Sequence, residues 1–291
     1  MYHKNRTNAI QTEVNFRYVG VCVNHSWDRD IEKQFADIVN NGFHHCQLVS
    51  WIPGKWTDEE AAKIKAAAEK YDVVVTAFWC GWEGPCVWNF YEGQQTLGLV
   101  PPEHREMRIK NLCDGADFAL KFGVRDVVTH MGFIPENPND PLYPGFIEAV
   151  RKVAEHLKEN DQTLLFETGQ ETPVTMLRAF EDIGTDNLAV NFDTGNVILY
   201  GKANPVDAID VIGKHIKNIH AKDGLYPTDG RNLGEEVKIG TGKANLPEFL
   251  RKIHALGYDG PVIIEREISG EQQNIDILEA KALIESVIAE F

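Results

Sequence analysis

The stretch Thr163-Leu-Leu-Phe-Glu167, followed by Thr172-Pro173, Gly184 and then Leu188-Ala-Val-Asn-Phe-Asp193, reads as one strand–helix–strand unit. The two apolar runs are too short for buried helices and suit strands covered on both faces. Between them, Thr172 is a helix-capping residue ahead of a proline at the first helical position, and Gly184 stands where that helix should stop. The same alternation continues in both directions. Strand-like runs fall at 18–24, 46–51, 73–80, 126–131, 163–167, 188–193, 216–220 and 262–265. Thr57-x-x-Glu60 is a capping box that opens a helix over 61–71, and Asn204-Pro205 repeats the capping pattern of Thr172-Pro173. Asn245-Leu-Pro247 opens a helix over 248–256, ended by Gly257, while Gly42 and Gly123 stand at the ends of earlier helices. Apolar residues at Ile277, Leu278, Leu283, Ile284, Val287 and Ile288 form a helical stripe in the last segment.

Strands that alternate with helices pair in parallel through right-handed crossovers, and eight such units in about 250 residues match a closed barrel. The expectation is therefore an α/β chain forming one (β/α)8 TIM barrel over residues 17–291, preceded by an N-terminal extension over 1–16. An open doubly wound sheet is the competing fold, but no Gly-x-Gly-x-x-Gly turn follows the first strand.

The formal net charge of −15 argues against nucleic acid or an anionic membrane as a partner, while leaving small sugars and sugar phosphates open. The first residues lack the apolar centre of a signal peptide, and no run approaches the length of a membrane span. Five cysteines with no zinc-knuckle spacing read as free thiols. These features together suggest a cytoplasmic protein.

Chemistry concentrates at the strand ends. Glu167, Asp193, His220 and Glu265 close four late strands, and the period-2 alternation puts Leu165 and Ile263 on their inner face while Leu164, Phe166, Phe192 and Ile264 face the helices. Three carboxylates in one confined place cannot all stay ionised without a cation. Three oxygens and one imidazole suit one divalent ion, Mn2+ first, with Mg2+, Co2+ or Zn2+ as alternatives. A single strand-end acid is often only a helix cap; four in corresponding positions are not. Nearby stand His130, Gln170, Asn196 and Lys222. Lys222 could steady an anion or pair with Asp223. The long loops 81–102 and 224–242 belong to the same face, and Trp82 in the first could stack on a sugar or pack beneath the loop.

The segments Leu165-Phe-Glu-Thr-Gly-Gln-Glu171, Asn191-Phe-Asp-Thr-Gly-Asn196, Ile219-His-Ala-Lys-Asp-Gly224, Gly240-Thr-Gly242 and Gly257-Tyr-Asp-Gly-Pro-Val-Ile-Ile-Glu-Arg-Glu267 resemble the xylose isomerase-like superfamily of sugar phosphate isomerases and epimerases. Gly98-Leu-Val-Pro101 and Thr129-His-Met-Gly-Phe133 extend the likeness, which runs from Tyr18 to the C-terminus. The resemblance implies metal ligation by Glu167, Asp193, His220 and Glu265, with Glu167 and Glu265 also moving the proton. The matching function is a metal-dependent sugar isomerase or epimerase that works through an enediolate. In the ketose 3-epimerases of this group a His stands three residues after the metal Asp, where this chain has Asn196. An Arg follows the metal His, and the nearest candidate in this chain is Arg231. Substrate contacts are thus expected from His130, Gln170, Asn196, Lys222, Trp82 and Arg231. Dehydration or lyase chemistry on an inosose or keto-sugar shares the same first step and is the alternative. An endonuclease IV-like repair enzyme and a non-catalytic sugar-binding barrel are further readings. Relatives of this kind suggest a dimer or tetramer.

Overall fold

The computed structural model describes residues 18–291; the N-terminal extension over 1–16 lies outside them. Eight strands form the barrel: β1 (Val19–His25), β2 (His45–Ser50), β3 (Val74–Cys80), β4 (Asp126–Thr129), β5 (Thr163–Glu167), β6 (Leu188–Asp193), β7 (Ile216–Ala221) and β8 (Val262–Ile264). Each pairs in parallel with its sequence neighbours, and β8 closes on β1. Eight longer helices follow them one by one: α1 (Ile31–Asn40), α2 (Asp58–Tyr71), α3 (Arg105–Lys121), α4 (Tyr143–Glu159), α5 (Pro173–Ile183), α6 (Pro205–Ile212), α7 (Leu246–Ala255) and α8 (Glu271–Ile288). No described helix is long and apolar enough to cross a membrane, and all five cysteines are free.

The helices begin where orphan backbone N–H groups find side-chain acceptors. Thr57 accepts from Glu60 N, Thr172 from Thr175 N, and Asn204 from Val206 N and Asp207 N. Gly184 ends α5 in the left-handed region (φ 73°), where a glycine has no Cβ penalty. The structure differs at α7, which starts at Leu246: Asn245 is itself left-handed (φ 48°) and makes no capping bond. Pro247 tolerates this start because the first helical N–H groups have no intrahelical acceptor.

Two packed layers follow from the strand alternation. Leu164, Phe166, Val190, Phe192, Ile219 and Ile264 point outward and join the helices in the main core. Ala77, Trp79, Val128, Leu165 and Ala189 point inward and fill the barrel. Phe192 stacks on Phe249 of α7 (5.0 Å, 24°), and Phe166 meets Phe180 of α5 edge-on (4.8 Å). These contacts fix the outer residues of β5 and β6. Their inner neighbours, Glu167 and Asp193, are fixed with them.

The loop after β3 crosses directly over the loop after β4. Leu99 N donates to Met131 O (3.0 Å), and a Cβ on Gly98 (φ +65°) would lie 2.0 Å from the Met131 carbonyl carbon. Gly132 (φ +88°) faces Leu97 O as closely, so neither chain can carry a side chain at the crossing. This crossing sets the backbone on which His130 and the tryptophan-rich loop sit. Gly98→Ala therefore combines a left-handed Cβ penalty with a backbone clash, and should cost at least ~2 kcal/mol in a urea unfolding experiment.

Candidate active site

Glu167 and Asp193 are the last residues of β5 and β6, His220 is one before the end of β7, and Glu265 follows β8. Parallel registry pairs Asp193 with His220, while Glu167 pairs with Asn191 and Ile263 with His220, so the two glutamates flank that pair at the same end of the barrel. One ligand atom from each lies within 4.8 Å of every other. His220 Nδ1 is the centre of the group, 2.9 Å from Glu167 Oε1, 3.6 Å from Glu265 Oε2 and 3.7 Å from Asp193 Oδ2.

The carboxylates of this group are held from behind. Asp193 Oδ1 accepts the N–H groups of Gly195 (2.8 Å) and Asn196 (2.7 Å), while Oδ2 is buried with no hydrogen-bond partner. Glu167 Oε2 accepts from Trp79 Nε1 (2.9 Å) and Asn191 Nδ2 (2.6 Å), leaving Oε1 to face His220. An unpartnered buried carboxylate oxygen aimed at two further carboxylates and an imidazole fits a divalent cation, and little else satisfies it. The three-oxygen, one-nitrogen donor set favours Mn2+ or Mg2+ over thiophilic ions.

Lys222 is wholly buried, unlike a surface ion pair. Its Nζ lies 2.9 Å from Glu265 Oε2, 2.9 Å from Glu267 Oε2 and 4.0 Å from Asp193 Oδ2. Burial opposes its charge, but Glu265, Glu267 and Asp193 outweigh that and raise its pKa well above the ordinary lysine value. Asp223, a candidate partner for Lys222, instead organises the loop after β7. Its carboxylate accepts the N–H groups of Gly224 (2.9 Å), Gly240 (3.0 Å), Gly242 (2.9 Å) and Ala244 (2.9 Å).

A cavity of about 480 Å³ opens onto this group. Glu167, Glu265 and Glu267 line one part; Trp51, Trp79, Trp88, Tyr200 and Leu233 line another. His130 stands between them, its ring 5.7 Å from Trp79 and 5.2 Å from Trp88. Burial lowers its pKa, leaving a neutral imidazole whose Nδ1 has no partner. Asn196 lines the cavity and reaches Glu167 Oε1 at 3.4 Å. Gln170 does not line it; its Nε2 donates to Tyr200 Oη (3.0 Å) and holds that ring in the wall. Trp82 lies behind the wall, 5.1 Å from the Trp51 ring and under the Arg108 guanidinium. Arg231 is exposed and sits over Tyr91, away from the cavity. The aromatic surface available to a ligand therefore comes from Trp51 and Trp88, with Trp82 as support.

Trp79, Gln47, Asn191, Glu267 and Glu171 escaped the sequence reading. Asn191 was within reach, since it lies two residues before Asp193 on the same face; Gln47 showed only as a polar residue inside an apolar strand. Glu171 is buried, and neither carboxylate oxygen has a partner. Burial pushes its pKa from the ordinary 4.5 up to about 8. The folded state thus keeps a proton that the unfolded chain has released, so stability falls as pH rises from 4.5 to 8. Glu171→Gln removes this dependence. Its melting temperature relative to wild type should rise between about pH 5 and pH 8, and a constant difference would show that Glu171 titrates alike in the folded and unfolded chain.

The family description "xylose isomerase-like TIM barrel" matches residues 35–286. An uncharacterized protein of Methanocaldococcus jannaschii is 28% identical over 174 residues, which cover 56% of this chain and 58% of that protein. Among solved structures, a xylose isomerase domain protein from Planctomyces limnophilus is 30% identical, with a TM-score of 0.86 over 94% of this chain and 100% of its own. A D-tagatose 3-epimerase-like protein superposes with a TM-score of 0.72 at 18% identity (94% and 97% covered). A Mycobacterium smegmatis barrel in complex with magnesium gives 0.70 at 18% identity (94% and 97% covered). Closed as a parallel barrel and matched along most of its length, the chain belongs to the xylose isomerase-like TIM barrel family.

Proposed function

We propose that this protein is a divalent-metal-dependent sugar isomerase or epimerase, in which Glu167 and Glu265 move a proton at a carbon next to a carbonyl. One observation carries the reading: both glutamates line the same cavity and both belong to one cluster with His220 and Asp193, so a substrate bound there meets two carboxylates. The magnesium complex among structures of the same fold, and the epimerase-like protein beside it, support the choice of ion and reaction class.

Glu167, Asp193, His220 and Glu265 would hold the ion, which supplies polarisation of a carbonyl and an adjacent hydroxyl when bound. The protein's own groups do the rest. Burial opposes ionisation of Glu265, but Lys222 and His220 outweigh it and hold the carboxyl well below its usual range, so it is a base at neutral pH. Trp79 and Asn191 orient Glu167, the second glutamate of the cluster. Lys222 adds positive charge beside the position where an enediolate would develop. His130, neutral and unpartnered at one nitrogen, can hydrogen-bond a sugar hydroxyl in either role. Trp51 and Trp88 offer flat apolar surface to the C–H face of a ring. Return of the proton to the opposite face of the same carbon gives epimerisation; return to the neighbouring carbon gives isomerisation. The occupant is a small sugar or sugar phosphate.

A dehydratase or lyase reading uses the same cavity and shares the first proton transfer, after which a group is expelled instead of the proton being returned. The two readings differ only in the product. The test is to incubate Mn2+-loaded protein in D2O with ketoses, ketose phosphates, inososes and 3-keto glycosides and to follow each by NMR. Deuterium should enter next to the carbonyl, and the product names the reaction. Glu167→Gln and Glu265→Gln should each slow exchange by ~10²–10⁴-fold; full exchange in both variants would sink the proton-transfer role of the two glutamates. Chelation by EDTA should abolish exchange and Mn2+ or Mg2+ should restore it.

A further inference from the structure

We propose that Gln47 is a positioning residue for the metal centre: through a buried chain of amides anchored on Glu167, it fixes a proton of His220 on Nε2 and so makes Nδ1 the nitrogen presented to the carboxylates and to an ion among them. The proposal rests on reading Glu167, Asp193, His220 and Glu265 as ligands, and carries that reading one layer deeper into the barrel.

Gln47 lies in β2, where Cys46 and Leu48 face the helices and Gln47 faces the barrel interior. β2 stands opposite β6 in the closed barrel, so its side chain reaches across the axis to Asn191. Gln47, Asn191, Asn218 and His220 are all buried, and an amide in such a place is retained only where its hydrogen bonds are made.

The direction of every bond in this chain follows from one group. Glu167 Oε2 accepts from the indole N–H of Trp79, which can only donate, and the Asn191 amide turns its NH2 toward the same oxygen (2.6 Å). Its carbonyl then faces the other way and accepts from Gln47 Nε2 (3.2 Å) and from Asn218 Nδ2. Because Gln47 spends its NH2 on Asn191, its carbonyl oxygen is what faces His220 Nε2, at 2.7 Å. An oxygen acceptor at that distance requires Nε2 to carry the proton. The remaining ring nitrogen, Nδ1, is the one that faces Glu167, Asp193 and Glu265; its 2.9 Å contact with Glu167 Oε1 is a hydrogen bond whose proton a bound cation would replace. The other neighbour of Nε2 is Cys22 Sγ at 3.9 Å, too far and too weak an acceptor to compete. A histidine that binds a metal through one nitrogen commonly has the other fixed by such a bond, and losing the partner typically weakens metal binding by ~10–100-fold.

The test uses the full chain. First, the ¹⁵N shifts of the His220 imidazole are read in the wild-type protein, Mg2+-loaded and metal-free at alkaline pH. A proton on Nε2 in both is expected; a neutral ring with its proton on Nδ1 overturns the proposal without recourse to any variant. Second, Mn2+ dissociation constants are measured by EPR of the free ion for wild type, Gln47→Met and Gln47→Glu, each checked for fold by circular dichroism. Gln47→Met, similar in shape but without the acceptor, should bind Mn2+ ~10–100-fold more weakly. Gln47→Glu restores an acceptor for Nε2 and should recover most of that loss, which a merely space-filling role would not produce. Wild-type affinity in a folded Gln47→Met protein, or equal losses in both variants, overturns the proposal. Failure of wild type to bind Mn2+ overturns the metal reading instead, while the metal-free imidazole shifts still decide the position of the proton.

Discussion

The structure is organised around the accumulation of negative charge at one end of the barrel. Glu167 and Asp193 meet there with almost no exposure to water, Glu265 joins them half-buried, and Glu267 approaches from the rim. Desolvated carboxylates so close together repel one another strongly unless cations stand among them. Lys222 is one such cation, buried because three acids surround it. Against three carboxylate ligands, the divalent ion proposed for this site leaves one negative charge, and Lys222 cancels it. The Asp193 oxygen without a hydrogen-bond partner belongs to this same group.

Such a charge cluster is possible only on a rigid support, and the barrel supplies it in layers. The outer faces of β5 and β6 are locked against the helices by Phe166–Phe180 and Phe192–Phe249, so the inner residues of the same strands cannot drift. Below the ligands, the amides of Gln47, Asn191 and Asn218 form a polar layer in which each donor has one permitted direction. Below these again, Val128, Leu165 and Ala189 close the interior with apolar side chains. The order from apolar floor to polar layer to charged rim is what lets a hydrophobic fold present an ionic site without burying an uncompensated charge.

Several buried polar atoms that lack partners stand at this same end. Asp193 Oδ2, His130 Nδ1, Trp82 Nε1 and both oxygens of Glu171 belong to the strand ends or the loops that follow them. Unsatisfied groups of this kind lower stability, and they concentrate where a ligand or a proton has to be received. The tryptophan wall balances them. Trp51, Trp79 and Trp88 give the cavity a face that excludes water beside carboxylates whose electrostatics strengthen as water leaves.

Much of this was legible from the chain itself. Period-2 runs, Thr172-Pro173, Asn204-Pro205 and Gly184 carry local information about strands and helix ends, so the eight strands fall within a few residues of where the pattern put them. Glu167, Asp193, His220 and Glu265 were visible because each ends an equivalent strand, and parallel registry turns equivalent positions into neighbours. The start of α7 was less legible, because the backbone at Asn245 adopts a left-handed turn that its side-chain chemistry does not announce. Trp82 and Arg231 share their loops with residues that do line the cavity, and a loop's path decides which side chain faces in. Only the closed barrel could bring Gln47 of β2 across to Asn191 of β6 and His220 of β7, or sink Lys222 between three acids. Those contacts join residues far apart in the chain, and no local propensity encodes them. Sequence alone thus determined the alternation and the acids and histidine that close the late strands, because these are properties of short segments. Tertiary structure decided hydrogen-bond direction, burial and which wall meets the substrate, because these depend on closing the sheet.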